Sequence, residues 1–252
     1  MASYKAKNGA NNDSRAALGT GLKILAVIPA RGGSKGIPRK NLCTVAGKPL
    51  IVRAIENAHR AKCVARVVVS TDDEEIGSIA RQHAAEVVPR PAEISGDGAS
   101  SEAALLHALE FLKVKESYEP DILVFLQCTA PLTLPEDIDG TVKALIDQAA
   151  DSALAVAPFH AFLWEKTADG NAVGINHDEE KRALRQQLTS QFIEAGSVYV
   201  MRTDGFKKAR HRFFGKVALH VIPRDRCLEI DDPADLLVAE ALLKAAGKPV
   251  SF

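Results

Sequence analysis

Residues 22–42, LKILAVIPARGGSKGIPRKNL, join a short apolar run to a loop rich in glycine and positive charge. Residues 24–28 form the apolar run, which is short and β-branched enough to predict a buried strand. Pro29 ends it, because proline cannot donate a hydrogen bond to a neighbouring strand. A buried strand that leads into such a loop predicts a binding site for a polyphosphate.

The loop carries both kinds of group that bind phosphate. Its backbone can turn sharply and present successive N–H groups to an anion at its glycines, Gly32, Gly33 and Gly36. Its cationic side chains are Arg31, Lys35, Arg39 and Lys40. The spacing excludes two common phosphate motifs, G-x-x-x-x-G-K-[ST] and G-x-G-x-x-G. An anion site is favoured over the alternative, a basic surface turn after a core strand.

Past the loop, short apolar runs alternate with stretches of helical spacing. Strands are predicted over residues 66–70, 85–88, 121–126, 152–157, 196–201 and 216–221. Helices are predicted over residues 49–60, 100–112, 135–148 and 233–246, with one more helix capped by Thr71 and Asp72. This alternation with short connections predicts a doubly wound, mostly parallel α/β sheet.

Composition and charge limit the class of protein. Lys+Arg 32 balances Asp+Glu 32, so there is no cationic excess for binding nucleic acid. The four cysteines are scattered without a C-x-x-C pair, which argues against a zinc site or a disulfide scaffold. No apolar run approaches membrane-spanning length. Residues 1–21 are polar and predict a disordered tail, so we expect a cytoplasmic protein with one domain over residues 22–252.

The loop sequence IPARGGSKGIPRKNL resembles the nucleotide-binding motif of the CMP-sialic acid synthetases, also called acylneuraminate cytidylyltransferases. Members of that family join a nine-carbon sugar acid to CTP and release pyrophosphate. The resemblance implies a Rossmann-like nucleotidyltransferase that uses CTP and a small acidic acceptor. Weaker matches extend it from Leu22 to about Leu243.

Nucleotidyl transfer requires a gripped triphosphate, a divalent metal and an acceptor oxygen in line with the α-phosphorus. We predict that Arg31, Lys35 and Lys40 contact phosphate, and that Arg31 and Lys40 stabilise the charge that develops in the reaction. Asn41 is predicted to reach the ribose or base, and Arg39 is interpreted as a solvated cation. The other predicted nucleotide contacts of the loop are Ala30 and the backbone of Gly32, Gly33 and Ser34.

The sequence CLEIDDPADL, residues 227–236, offers carboxylates for Mg²⁺, which prefers hard oxygen ligands. Strand alternation puts Glu229 and Asp231 on one side, with Ile230 facing the core. The family binds its metal through a D-I-D element here, so the resemblance implies Glu229 and Asp231 as ligands, with Asp231 also catalytic. The alternative makes Glu229 a rim residue and Asp232 or Asp235 an ordinary helix cap.

The sequence VVPRPAEISGDGASS, residues 87–101, resembles the base-recognising loop of the family. Arg90 lies on a stiff segment between two prolines, and the residues Ala99, Ser100 and Ser101 lead into a helix whose first N–H groups are free. The resemblance implies that these residues read cytosine. Ser100 also fits the N-cap of that helix, and the two roles are compatible.

Acceptor contacts are predicted at two places. Gln127 and Thr129 follow the strand over residues 121–126, and open α/β sheets bind ligands at the carboxyl ends of their strands. The sequence ALRQQLTSQFIEAGSVYV, residues 183–200, resembles the R-Q-x-L and E-N-G-S-[IF]-Y motifs of the family. The resemblance implies acceptor contacts at Arg185, Gln186, Glu194 and Tyr199.

Residues 158–190 break the alternation of strands and helices and predict an inserted subdomain. Its first part predicts a hairpin that turns at residues 169–171. In the family, the corresponding insertion packs against a second subunit, so the resemblance implies a homodimer. The aromatic residues of the insertion would line the acceptor pocket or, more commonly, pack within an interface; they are Phe159, Phe162 and Trp164.

Departures from the family pattern leave the acceptor open. They are Cys128, Thr133, Ile193 and Ala195, each at a position where family members carry another residue. The first hypothesis is transfer from CTP to a sialic-acid-like 2-keto acid. The second keeps the transfer but takes a legionaminate-, pseudaminate- or octulosonate-like acid or a phosphonate. The third is a non-catalytic nucleotide-binding module. Cys128 has no base nearby in sequence and is interpreted as a packed thiol.

Overall fold

A computed structural model describes residues 21–34, 36–181 and 190–245 of the chain. The strands are, in chain order, β1 (Ile24–Pro29), β2 (Thr44–Val45), β3 (Lys48–Pro49), β4 (Arg66–Thr71), β5 (Glu86–Pro89), β6 (Ile122–Leu126), β7 (Ser152–Phe159), β8 (Trp164–Lys166), β9 (Ala172–Gly174), β10 (Gln191–Arg202) and β11 (Val217–Val221). The helices are α1 (Leu50–Arg60), α2 (Glu74–Gln82), α3 (Ser101–Glu116), α4 (Pro135–Asp147), α5 (Thr203–Ala209) and α6 (Pro233–Ala245). None of these helices is long and apolar enough to span a bilayer.

One central sheet organises the fold. Its seven strands follow the order β11-β7-β10-β6-β1-β4-β5. β1 pairs in parallel with β4 and β6, whereas β10 runs antiparallel to both of its neighbours, β6 and β7. The predicted doubly wound, mostly parallel α/β sheet is confirmed, with β10 as its antiparallel member.

The unbroken apolar run of β1 is explained by burial on both faces of the sheet. Ile24 and Ala26 belong to a core cluster that is covered by α1, α2 and α4. Leu25 and Val27 face the opposite cluster, which is covered by α3 and α5. All four side chains are fully buried, so no polar residue fits on either face of this strand.

Several elements differ from the sequence prediction in their limits. β10 begins at Gln191 rather than at residue 196, and its pairing with β7 shifts register between Glu194 and Tyr199. α3 continues to Glu116 instead of ending at residue 112, and α5 was not predicted. In the insertion, β8 and β9 form the expected antiparallel hairpin.

Burial on α3 generates a prediction about stability. Leu105 is fully buried, so Leu105→Ala should lower the free energy of unfolding by about 2–5 kcal/mol. Val114 lies on the same helix but is 76% exposed, so Val114→Ala should change it by no more than about 0.5 kcal/mol. Urea unfolding of both variants measures the difference, and equal losses would show that α3 does not pack as described.

Candidate active site

Several segments meet beyond the carboxyl ends of β1, β4 and β6. Residues 30–41, called here the phosphate loop, begin with a hydrogen bond from the N–H of Ala30 to the carbonyl of Ser70, at 2.9 Å. The N–H of Ile230 donates to the carbonyl of Thr129 at 2.8 Å, which places residues 229–231 beside the end of β6. The sheet therefore brings described members of the predicted phosphate, metal and acceptor groups to the carboxyl ends of its strands.

The phosphate loop packs tightly against the end of β4. The N–H of Gly32 donates to Asp72 Oδ1 at 3.0 Å. A Cβ atom at Gly32 would lie 2.6 Å from Asp73 Oδ2, closer than two such atoms can approach, so only glycine fits here. Asp73, one residue beyond the predicted pair Thr71–Asp72, is the N-cap of α2 and accepts from the N–H of Ile76 at 3.0 Å.

Arg39 clamps the phosphate loop to α2 rather than serving only as a solvated cation. Its guanidinium forms ion pairs with Asp73 at 3.0 Å and with Glu75 at 2.7 Å. The hydrogen bond from Arg39 holds the pKa of Asp73 below its usual range. The interpretation from sequence is corrected accordingly, because partners from α2 cannot be read from the loop itself.

Lys40 and Asp231, two predicted catalytic residues, are in direct contact. Lys40 Nζ donates to the carbonyl of Ile230 at 2.8 Å and to Asp231 Oδ1 at 3.1 Å. A Cβ atom at Gly36 would lie 2.7 Å from the carbonyl oxygen of Asp231, so glycine allows the loop to approach this closely. The phosphate loop and the predicted metal-binding segment form one surface.

Arg31 connects the phosphate loop to the predicted base-recognising loop. Its guanidinium pairs with Asp97 at 3.1 Å. The side-chain amide of Asn41 donates to the carbonyl of Arg31 at 3.0 Å, so Asn41 fixes the loop backbone in this structure. Arg31 therefore stands between the sites predicted for the triphosphate and for the base.

The predicted base-recognising residues lie at the start of α3 and at the end of β5. Ser100 is the N-cap of α3, and its side chain accepts a hydrogen bond from the N–H of Ala103 at 3.2 Å. Ala99 precedes this cap, and Ser101 is the first residue of the helix. The half-buried Arg90 donates from Nε to Ser70 Oγ at 3.2 Å and also bonds the Ser70 carbonyl. This contact places its guanidinium beside the start of the phosphate loop.

Glu229 and Asp231 differ in their surroundings. Glu229 Oε1 accepts hydrogen bonds from Gln127 Nε2 at 2.7 Å and from Thr129 Oγ1 at 3.1 Å. Burial, followed by the nearby charge of Asp231, raises the pKa of Glu229. The side chain of Asp231 is 70% exposed and is accessible to a ligand. Ile230 is fully buried, as the predicted alternation requires.

These carboxylates fit a metal that is shared with a substrate. Among the residues that the structure describes, no group of three or more His, Cys, Asp and Glu side chains could hold an ion by itself. Mg²⁺ commonly binds one or two carboxylates and takes its other ligands from phosphates and water. The pair Glu229 and Asp231 matches that limited donor set, because Asp231 is exposed and adjoins the phosphate loop.

A bulge in β10 brings together two of the predicted acceptor contacts, Glu194 and Tyr199, beside Glu229. Glu194 and Tyr199 are five positions apart, yet Tyr199 Oη donates to Glu194 Oε2 at 2.9 Å, because the register shift puts both side chains on one face. Gly196, at the bulge, has φ +61°, and a Cβ atom there would lie 2.3 Å from Glu229 Oε2. Lys35, Arg185 and Gln186 lie outside the described residues.

Sequence reasoning missed two side chains that pack against Tyr199. The guanidinium of Arg212 lies 4.7 Å from the centroid of the Tyr199 ring, and the ring of Phe213 lies 5.9 Å from it. Both belong to the basic and aromatic run KKARHRFF at residues 207–214. That run is the pattern that would have drawn attention to this side of the site.

The α/β fold, and a loop of N–H groups and cations beside the exposed carboxylate of Asp231, form the arrangement expected of a nucleotidyltransferase. Comparison with known proteins then gives the family. The sequence profile of a family described as Cytidylyltransferase matches residues 25–214. The chain belongs to the cytidylyltransferase family, and the resemblance found in its sequence is confirmed.

Curated relatives match most of the chain. It is 32% identical over 229 residues to pseudaminic acid cytidylyltransferase of Campylobacter jejuni, a match that covers 88% of this chain and 97% of that protein. It is 33% identical over 218 residues to N-acylneuraminate cytidylyltransferase B of Danio rerio, covering 85% of this chain but 50% of that longer protein.

A solved structure supports the fold. CMP:2-keto-3-deoxy-manno-octonic acid synthetase complexed with CTP superposes with a TM-score of 0.67 at 20% identity. The superposition covers 88% of this chain and 98% of that one. At this level of identity, the likeness shows a shared fold alone.

The bulge at Gly196 generates a prediction about activity. Gly196→Ala should lower both stability and turnover, because a Cβ atom strains the positive φ and displaces Glu229. Gly215→Ala is the matched control, since Gly215 has φ +57° and faces Asp151 at the opposite edge of the sheet. Both variants should lose about 1–3 kcal/mol of unfolding free energy. Only Gly196→Ala should lose pyrophosphate release, and equal activity losses would refute the role of the bulge.

Cys128 generates a prediction about chemical reactivity. Its thiol is 3% exposed, and burial raises its pKa to about 12, which agrees with a packed thiol. Both the raised pKa and the burial keep Cys128 a protonated, shielded thiol at pH 8, so iodoacetamide should leave it unmodified in the folded protein. Peptide mass spectrometry checks this against the half-buried Cys43, with urea-unfolded protein as the positive control. Rapid alkylation of folded Cys128 would contradict its burial.

Proposed function

We propose that the chain transfers the cytidylyl group of CTP to a sialic-acid-like 2-keto acid, giving the CMP-linked sugar and pyrophosphate. The observation that carries the proposal is the contact of Lys40 with Asp231, which joins the phosphate loop to the carboxylates beside the acceptor residues. The names of the relatives, which act on pseudaminic acid and on N-acylneuraminate, support an acidic sugar as the acceptor.

The residues divide the work of the reaction. N–H groups of the phosphate loop, with Arg31 and Lys40, hold the triphosphate and stabilise the charge that moves onto pyrophosphate. An acceptor hydroxyl held near Gln127 and Thr129 attacks the α-phosphorus in line with the leaving group. The new O–P bond forms as the bond to pyrophosphate breaks, pyrophosphate leaves with the electron pair of that bond, and the proton of the hydroxyl passes to water.

The proposal includes Mg²⁺ as the cofactor. Asp231 would hold the ion together with the phosphates. Glu229 would be the second carboxylate ligand, and Gln127 and Thr129 orient its carboxylate by hydrogen bonds. When bound, the ion neutralises phosphate charge. Lys40 keeps the Asp231 carboxylate beside the phosphate loop, where a nucleotide-borne ion would meet it.

Exposed apolar residues on the insertion and its neighbouring strand support the proposed homodimer. These residues are Leu163 at 42%, Trp164 at 54%, Ile175 at 57%, Phe192 at 40% and Ile193 at 37% exposure. Exposed apolar surface of this kind commonly marks a protein–protein interface. A cytoplasmic location remains a prediction from the sequence.

The first test measures pyrophosphate release with CTP, Mg²⁺ and a panel of acceptors. The panel contains N-acetylneuraminate, pseudaminate, legionaminate, an octulosonate and simple phosphonates, with ATP, GTP and UTP as nucleotide controls. We expect pyrophosphate release with CTP and one of the nine-carbon acids. N-acetylneuraminate is the first candidate, and pseudaminate is the second because of the Campylobacter relative. CTP binding without release for any acceptor would favour the non-catalytic module.

Asp231→Asn tests the catalytic site directly. Loss of the charge should lower kcat by about 100-fold, because the ion and Lys40 both lose their carboxylate partner. Asp232→Asn is the matched control, since Asp232 is the next residue, is exposed, and precedes α6. Steady-state pyrophosphate release should be near the wild-type rate for that control. Undiminished turnover in Asp231→Asn would remove Asp231 from the mechanism.

A further inference from the structure

Arg212 lies between the predicted nucleotide contacts and the predicted acceptor contacts. Its Nε donates to Glu102 Oε1 at 2.7 Å, and Glu102 stands in the first turn of α3, directly after Ser100 and Ser101. On its other side, the guanidinium lies 4.7 Å from the ring centroid of Tyr199. One side chain therefore contacts the elements that carry both halves of the proposed site.

The surroundings of Arg212 make its geometry specific. The side chain is 20% exposed and that of Glu102 is 11% exposed, so solvent screens their ion pair only weakly. The guanidinium also lies 5.0 Å from the ring centroid of Phe125, which itself stacks on Tyr199 with centroids 5.4 Å apart. A planar guanidinium can stack on aromatic faces while its N–H groups pair with a carboxylate, whereas the ammonium of lysine is a point charge with no plane to stack.

The contact continues from the Tyr199 ring to the Glu194 carboxylate. Tyr199 Oη donates to Glu194 Oε2 at 2.9 Å, and both residues flank the bulge that packs against Glu229. The cations predicted to contact phosphate, Arg31 and Lys40, instead pair with Asp97 and Asp231. Arg212 is thus placed to act through Tyr199 and α3.

We propose that Arg212 is a positioning residue that sets the acceptor site, through Tyr199 and Glu194, against the nucleotide-binding start of α3. The inference rests on the proposed function of the site and deepens it. It assigns the relative placement of the two substrates to a guanidinium that touches neither of them.

Arg212→Lys is the informative substitution. Lysine keeps the positive charge near Glu102 but loses the planar group against Tyr199, so the acceptor site should loosen while the start of α3 stays in place. We expect the KM for the acceptor to rise roughly tenfold, with the affinity for CTP within about twofold of wild type. Arg212→Met also removes the ion pair with Glu102, so it should weaken the binding of both the acceptor and CTP.

Arg66 provides a matched control at the other end of α3. It pairs with Glu116, in the last turn of α3, at 2.6 Å, and its guanidinium lies 4.6 Å from the ring centroid of Tyr118. Its side chain is 17% exposed, close to the value for Arg212. Arg66 is the first residue of β4, so it lies at the amino end of the strand, whereas the site lies at the carboxyl end. Arg66→Lys should therefore lower stability without changing the KM for the acceptor.

The experiment combines kinetics with hydrogen exchange. Pyrophosphate release is measured with saturating CTP and varied N-acetylneuraminate or pseudaminate, whichever the wild type uses, and urea unfolding gives the stability of each variant. In parallel, deuterium exchange with and without CTP follows peptides over residues 101–116 and 191–202. In the wild type, CTP should protect both peptides; in Arg212→Lys it should protect only the first.

The two readouts separate failure of this inference from failure of the proposed function. If no acid is used by the wild type, the proposed function fails, and the exchange experiment still tests the coupling through Arg212. The inference would be overturned if Arg212→Lys and Arg66→Lys had the same KM for the acceptor and the same CTP-dependent protection of residues 191–202. If Arg212→Met does not fold, Glu102→Gln tests the same link by removing only the ion pair, and it should weaken CTP binding.

Discussion

The contact between Lys40 and the segment Ile230–Asp231 holds the two sides of the active site together. One ammonium group bonds a backbone carbonyl and a carboxylate from residues about 190 positions away. Gly36 permits the close approach, because a Cβ atom there would lie 2.7 Å from the carbonyl oxygen of Asp231. As a consequence, the phosphate loop, the carboxylates of Glu229 and Asp231, and strand β10 form one surface.

Charge balance gives this surface its order before a substrate binds. Each described loop cation has a carboxylate partner: Arg31 has Asp97, Arg39 has Asp73 and Glu75, and Lys40 has Asp231. A triphosphate would enter a site whose cations are already oriented, which reduces the cost of ordering them.

The antiparallel strand distinguishes this sheet from a purely parallel one and shapes the acceptor side. β10 lies between β6 and β7, and its bulge puts Glu194, Tyr199 and Gly196 against Glu229. Arg212, from the connection between α5 and β11, packs on this strand and on α3. The contacts on this side of the site therefore join a strand, a helix and two connections that are distant in sequence.

The sequence pattern alone was sufficient to predict those elements that depend on neighbouring residues in the chain. The short β-branched run at residues 24–28 predicted a buried strand, and the glycines and cations after it favoured a phosphate site. Cytidylyl transfer itself came from the resemblance of that loop to a known family. The partners of Arg39, the position of Arg212 and the bulge at Gly196 depended on the tertiary structure. Such contacts join residues far apart in the chain, and the topology of the sheet, rather than any local spacing, decides which of them meet.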